Sequence, residues 1–287
     1  GEVTHWERPL LRGPLVQAAC LKCHGNLEQI QSSVPQLVRG MQLYKELGCA
    51  GCHAVNGFGQ TVSIDLSDMG DKPWQLLDFT FVEGPHTLPQ WIYEHFKEPR
   101  RVTPGFRKTE LPVGEEEIYP SFMQDVGLSD EDARALTVYM LALTKETLPA
   151  TVVIPAPPRR PEPGYTSAVE AGGAVFQKYG CAGCHGPGGF GGRKNWNAVL
   201  GEEVPSLVYV KAYYEQDREG LKDLIRHGRQ PVPRLDRQRP TPPLFMPSWK
   251  ERISEEELEQ LVEYLFSLSA QVTQAPAATN QGTSATP

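Results

Sequence analysis

The sequence predicts a mainly α-helical, loop-rich chain, with two tandem repeats behind a short N-terminal extension. Three observations carry this. A C-x-x-C-H pentapeptide occurs three times, at Cys20–His24, Cys49–His53 and Cys181–His185. The second and third copies close a helical pattern, and each is followed downstream by a capped, strongly periodic segment. Between these lie segments rich in the chain's 27 glycines and 26 prolines, which favour loops.

C-x-x-C-H is the attachment signature of c-type haem. The two sulfurs add to porphyrin vinyl groups, and the adjoining histidine becomes the proximal iron ligand. On this reading Cys20, Cys23, Cys49, Cys52, Cys181 and Cys184 bind three haems covalently, and His24, His53 and His185 ligate iron. Zinc ribbons pair their C-x-x-C units, and three units do not pair. A redox dithiol needs no adjoining histidine. All six cysteines fall in these motifs, so no further disulfide is expected.

A length of 287 residues fits about two domains. A net charge of −7 argues against a nucleic-acid partner. No apolar run approaches the ~18 residues of a membrane span. The chain begins at Gly1 with no signal peptide, so it reads as a mature or trimmed product whose anchor, if any, was lost.

The boundaries follow from composition. Residues 1–37 carry the first motif and are too short to enclose a haem alone. Residues 38–148 and 166–270 are the repeats. Gly40–His53 aligns without gaps on Gly172–His185, and Leu128–Leu143 on Ile253–Leu268. Ser129 with Asp132, Ser167 with Glu170, and Ser254 with Glu257 read as helix N-caps with an acidic N3 residue. Leu136, Tyr139 and Leu143 share one face, as do Leu261, Tyr264 and Leu268. Residues 149–165 form a Pro-rich spacer, and 271–287 a tail poor in apolar and charged groups.

Each repeat resembles a class I cytochrome c domain: a first helix, C-x-x-C-H, loops, a methionine, then a last helix. The resemblance implies that first and last helices cross closely, Gly40 against Tyr139 and Gly172 against Tyr264. It also implies methionine as sixth iron ligand, which points to Met123 for haem 2 and Met246, in Met246-Pro247, for haem 3. Met41, Met69 and Met140 are expected to be packing residues.

Haem 1 has no such methionine. Its sixth ligand is expected to be His86, with His95 and His5 as alternatives, or the site is open or filled by methionine or a partner. Thr87 reads as an N-cap with Pro89 just inside, so His86 sits at a loop-to-helix junction. Arg193, Lys194 and Trp196 are placed to meet propionates or solvent. Arg226, Arg229, Arg234, Arg237 and Arg239 form a basic cluster that fits either an acidic partner or a solvated loop.

The function expected is electron relay between redox partners, at the periplasmic or extracytoplasmic face of a membrane, as a subunit of or partner to a respiratory or photosynthetic complex. The alternative is a haem enzyme of peroxidase-like or small-oxyanion type, which requires an open haem 1. Six-coordinate iron leaves no position for substrate.

Overall fold

The computed structural model describes residues 11–24, 27, 30–60, 62–103, 123–145, 164–195, 198–199, 203–229, 233 and 244–272. The Pro-rich spacer through residue 163, the tail from 273, His5, Trp196, and Arg234, Arg237 and Arg239 lie outside them.

The first domain contains α1 (Pro35–Glu46), α2 (Leu88–Lys97), α3 (Pro99–Val102) and α4 (Asp130–Ala142). The second contains α5 (Ala168–Lys178), α6 (Ala182–His185), α7 (Val210–Tyr214), α8 (Arg218–His227) and α9 (Glu255–Val272). Between helices the described chain runs as 3-10 turns and loops, with isolated bridges in place of strands. None of these helices is long and apolar enough to cross a membrane.

The expected caps form. Ser129 Oγ accepts from Asp132 N at 3.1 Å, and Ser167 Oγ from Glu170 N at 3.1 Å. At α9 the box is reciprocal: Ser254 Oγ accepts from Glu257 N at 3.2 Å, and Glu257 Oε2 accepts from Ser254 N at 3.0 Å. Glu170 instead reaches back to Thr166 N, at 2.8 Å. Thr87 caps α2 by accepting from Gln90 N. Each cap satisfies one of the orphaned N–H groups of a helix start.

The crossing of first and last helices organises each domain. A Cβ on Gly40 would strike the Ala135 carbonyl oxygen and lie 2.8 Å from Tyr139 Cβ. One on Gly172 would strike the Gln260 carbonyl and lie 2.7 Å from Tyr264 Cβ. Beside each glycine an aromatic pair packs, Tyr44 on Tyr139 at 5.5 Å and Phe176 on Tyr264 at 5.3 Å. Cross-helix ion pairs recur too: Arg39 with Asp132 at 2.9 Å, Lys178 with Glu257 at 2.5 Å. Leu37, Leu136 and Met140 are fully buried in one core, and Leu258, Val262 and Leu268 in the other. Met69 is also buried and Met41 packs against the first core, as expected of packing residues.

The N-terminal extension lies on the first domain. Gly13–Lys22 is a 3-10 stretch whose Ala18 joins that domain's core. Gln17 Oε1 accepts from Gln36 N at 2.9 Å and Leu37 N at 3.3 Å. It thereby caps α1, which has no cap of its own.

Glu94, buried on α2, fastens the loop before that helix. It accepts from Glu83 N at 2.9 Å, Gly84 N at 2.8 Å, Gln90 Nε2 at 2.8 Å and Arg101 at 3.1 Å. Burial alone raises its pKa, but the hydrogen bonds outweigh burial and hold it down at about 2. A depressed carboxylate stabilises fully above its ordinary value of 4.5, and that contribution fades as pH falls toward 2. Glu94→Gln is therefore expected to lower stability at neutral pH by about 1–3 kcal/mol and to flatten acid unfolding across that window. Denaturant titrations of both proteins at stepped pH check this, and parallel pH curves would contradict it.

Candidate haem sites

In the first domain, Cys49, Cys52, His53 and Met123 line one cavity of about 700 Å³, with an otherwise mainly apolar wall. That is within the usual range for small-molecule and cofactor pockets. His53 Nδ1 donates to the Ile64 carbonyl at 2.8 Å, which leaves Nε2 as the lone-pair nitrogen. Burial lowers the His53 pKa and keeps the imidazole neutral, as a metal ligand must be. The second domain repeats this: His185 Nδ1 donates to the Pro205 carbonyl at 3.0 Å, and burial again lowers the pKa. Burial pushes the Cys49 and Cys181 thiols up to about 12.

Met246, like Cys181, packs against the second core, and its carbonyl accepts from Arg229 N at 2.9 Å. The donor sets of both domains fit haem c. Cys49, Cys52, His53 and Met123 would hold one group, and Cys181, Cys184, His185 and Met246 the other.

Of the histidines weighed for haem 1, His86 and His95 are among the described residues. His95 lines the Cys49–His53 cavity, stacked on Trp91 at 4.8 Å, with Nε2 2.8 Å from Met123 Sδ. Burial pushes its pKa down to about 4. A thioether and an imidazole thus both face the haem 2 cavity. His86 stacks on Phe79 at 4.9 Å and borders a shallow hollow with Lys72 and Trp74. His24 Nδ1 is buried and has no hydrogen-bond partner among the described residues, unlike its two counterparts. His227 is exposed at the end of α8. Arg226 is taken up by Asp223 at 2.8 Å and Glu255 at 2.7 Å.

The two repeats meet through their motif loops. A Cβ on Gly48 would strike Gly183 N, and one on Gly183 the Gly48 carbonyl. Likewise a Cβ on Gly51 would strike the Gly180 carbonyl, and one on Gly180 would strike Gly51 N. Gly48 and Gly180 also hold φ of 72° and 69°, a backbone state that disfavours side chains. Cys52 and Cys184 lie inside this glycine clasp, and the proximity of Cys184 together with burial raises the Cys52 pKa. Outside it, Phe58 packs on Tyr179 at 6.1 Å, and Arg252 donates to the Gly59 carbonyl. Sequence reasoning missed the clasp. Its signal was present: the two middle positions read Ala-Gly in the motifs of both repeats, but Leu21-Lys22 in the first motif.

Family models agree with this geometry. Residues 37–144 match the cytochrome c model, and 167–265 match the model for cytochrome c oxidase, cbb3-type, subunit III. The chain is a multihaem c-type cytochrome. The cytochrome is also similar to the cbb3-type cytochrome c oxidase subunit CcoP of Azospirillum brasilense, 24% identical over 248 residues, which span 85% of this chain and 67% of that protein. No solved structure matches it. Electron relay is the work of the cytochrome, carried by its two cytochrome c domains. When bound, haem supplies the one-electron iron couple. The chain supplies the axial donors, the apolar cavity and the contact between the two sites.

Proposed function

We propose that this cytochrome carries three covalent haems and serves as an electron-relay subunit of, or partner to, a membrane-bound cytochrome c oxidase of the cbb3 type. The similarity to CcoP supports the partner. The observation that carries the relay is the glycine clasp, in which the motif loops that hold Cys49 and Cys52 meet those that hold Cys181 and Cys184 backbone to backbone. Because the cysteines of these loops would bind the porphyrin edges, contact between the loops gives electrons a short path between the sites. His24, in the remaining C-x-x-C-H motif and with its Nδ1 buried, would make the third site.

Intact-mass and haem-quantitation measurements test the count. Three haems per chain are expected for the full cytochrome, and two for the Cys20→Ala, Cys23→Ala double variant. Two haems in both proteins would refute the third site. Reduced cytochrome mixed with an oxidised cbb3-type oxidase is expected to be reoxidised with oxygen uptake, and its failure to react would refute the partner.

A further inference from the structure

The second domain does more than dock on the first. Arg193, just past the Gly-rich turn after His185, lines the cavity that holds Cys49, His53 and Met123. It is 9% exposed, and its Nε has no partner. Among the described residues no carboxylate forms an ion pair with it, so none of them supplies this buried cation with a counter-charge. Its neighbour is anchored across the same boundary: Lys194 N donates to Gln124 Oε1 at 3.3 Å, and Gln124 Nε2 donates to the Lys194 carbonyl at 3.1 Å. Gln124 directly follows Met123. Gly183 and Leu244, also from the second domain, complete the cavity wall.

A buried cation without a partner is expensive unless something in the site compensates it. Haem has two means of doing so. Its propionates are anionic, and its iron loses one unit of positive charge on reduction. A guanidinium in a low-dielectric cavity would pair with a propionate, offsetting a negative charge that stabilises the ferric state, and would favour the less positive, reduced iron.

We propose that Arg193 of the second domain is the fixed positive charge of the haem 2 site, so that docking of one domain sets the reduction potential of the other domain's haem. Arg193 acts through charge, and it is a positioning and tuning residue rather than a ligand. The proposal rests on haem being held by Cys49, Cys52 and His53, which haem quantitation tests separately.

Spectroelectrochemical titration of the full-length cytochrome tests it, with Arg193→Gln and Arg193→Lys compared to the parent. Haem content and the methionine-to-iron charge-transfer band serve as controls for intact sites. The expected result is a haem 2 midpoint shifted to lower potential in Arg193→Gln and close to the parent value in Arg193→Lys. An unshifted midpoint in Arg193→Gln overturns the proposal. Equal shifts in both variants also overturn it, because packing rather than charge would then be responsible. The parent alone gives a second test. A buried charge is poorly screened, so the haem 2 midpoint should hold nearly constant as salt is raised, and a strong salt dependence overturns the assignment.

Discussion

Gly172→Ala is expected to destabilise the second domain, although alanine is the better helix former by about 1 kcal/mol. The new Cβ would meet the Gln260 carbonyl and stand 2.7 Å from Tyr264 Cβ. The obstacle is backbone on the facing helix, so no rotamer change relieves it. Overpacking of this kind costs about 1–3 kcal/mol, and the upper end is expected where backbone must move. Gly173 is the internal control. Its added Cβ would meet only the Tyr264 ring, at 3.4 Å, an ordinary contact. Gly173→Ala is therefore expected to be neutral or mildly stabilising. Denaturant unfolding of the holoprotein, followed at the haem and in the far ultraviolet, separates the two. If both variants gained stability, the close crossing of α5 and α9 would be wrong.

Gly51→Ala and Gly183→Ala are expected to open the clasp while leaving haem attachment intact. The first motif carries Lys22 at the matching position, so a side chain there is compatible with the C-x-x-C-H signature. What the change disturbs is the facing loop, where the Cβ would strike the carbonyl of Gly180 or of Gly48. A penalty of about 1–3 kcal/mol moves the docked–undocked balance by roughly ten- to a hundredfold. Rapid-reduction kinetics should then show slower equilibration between the two sites. Magnetic coupling between the ferric centres should weaken, and the spectrum of each site should stay as it was. Unchanged equilibration in both variants would mean that electrons do not pass at the clasp.

How far the sequence could be read followed the range of the interactions involved. Caps at Ser129, Ser167 and Ser254 depend on spacing within a helix, so local pattern revealed them. The glycine–tyrosine crossings were implied by the resemblance to class I cytochrome c domains, placed on this chain by a repeat that aligns without gaps. His95 shows the limit. Its spacing from Trp91 put both on one face of α2, where they stack at 4.8 Å. Nothing local said which cavity that face would line, and it lines the one beside Met123 rather than a site at His24. Arg193 and the Gln124–Lys194 amide pair were illegible for the same reason, since partners 70 residues apart leave no period to detect.

The contacts in the clasp obey an exchange rule. Gly48 aligns with Gly180 and Gly51 with Gly183, while Gly48 meets Gly183 and Gly51 meets Gly180. Each residue therefore touches the counterpart of its partner's own position, which is the defining pattern of an isologous, two-fold interface. The two repeats associate as a symmetric dimer of single-haem units would, with both halves on one polypeptide. Covalent connection makes that association intramolecular, so dilution does not separate the halves. It also frees them to diverge. Arg193 and the Gln124–Lys194 pair break the two-fold rule, an asymmetry that two identical subunits could not encode and that gives the pair of sites a direction.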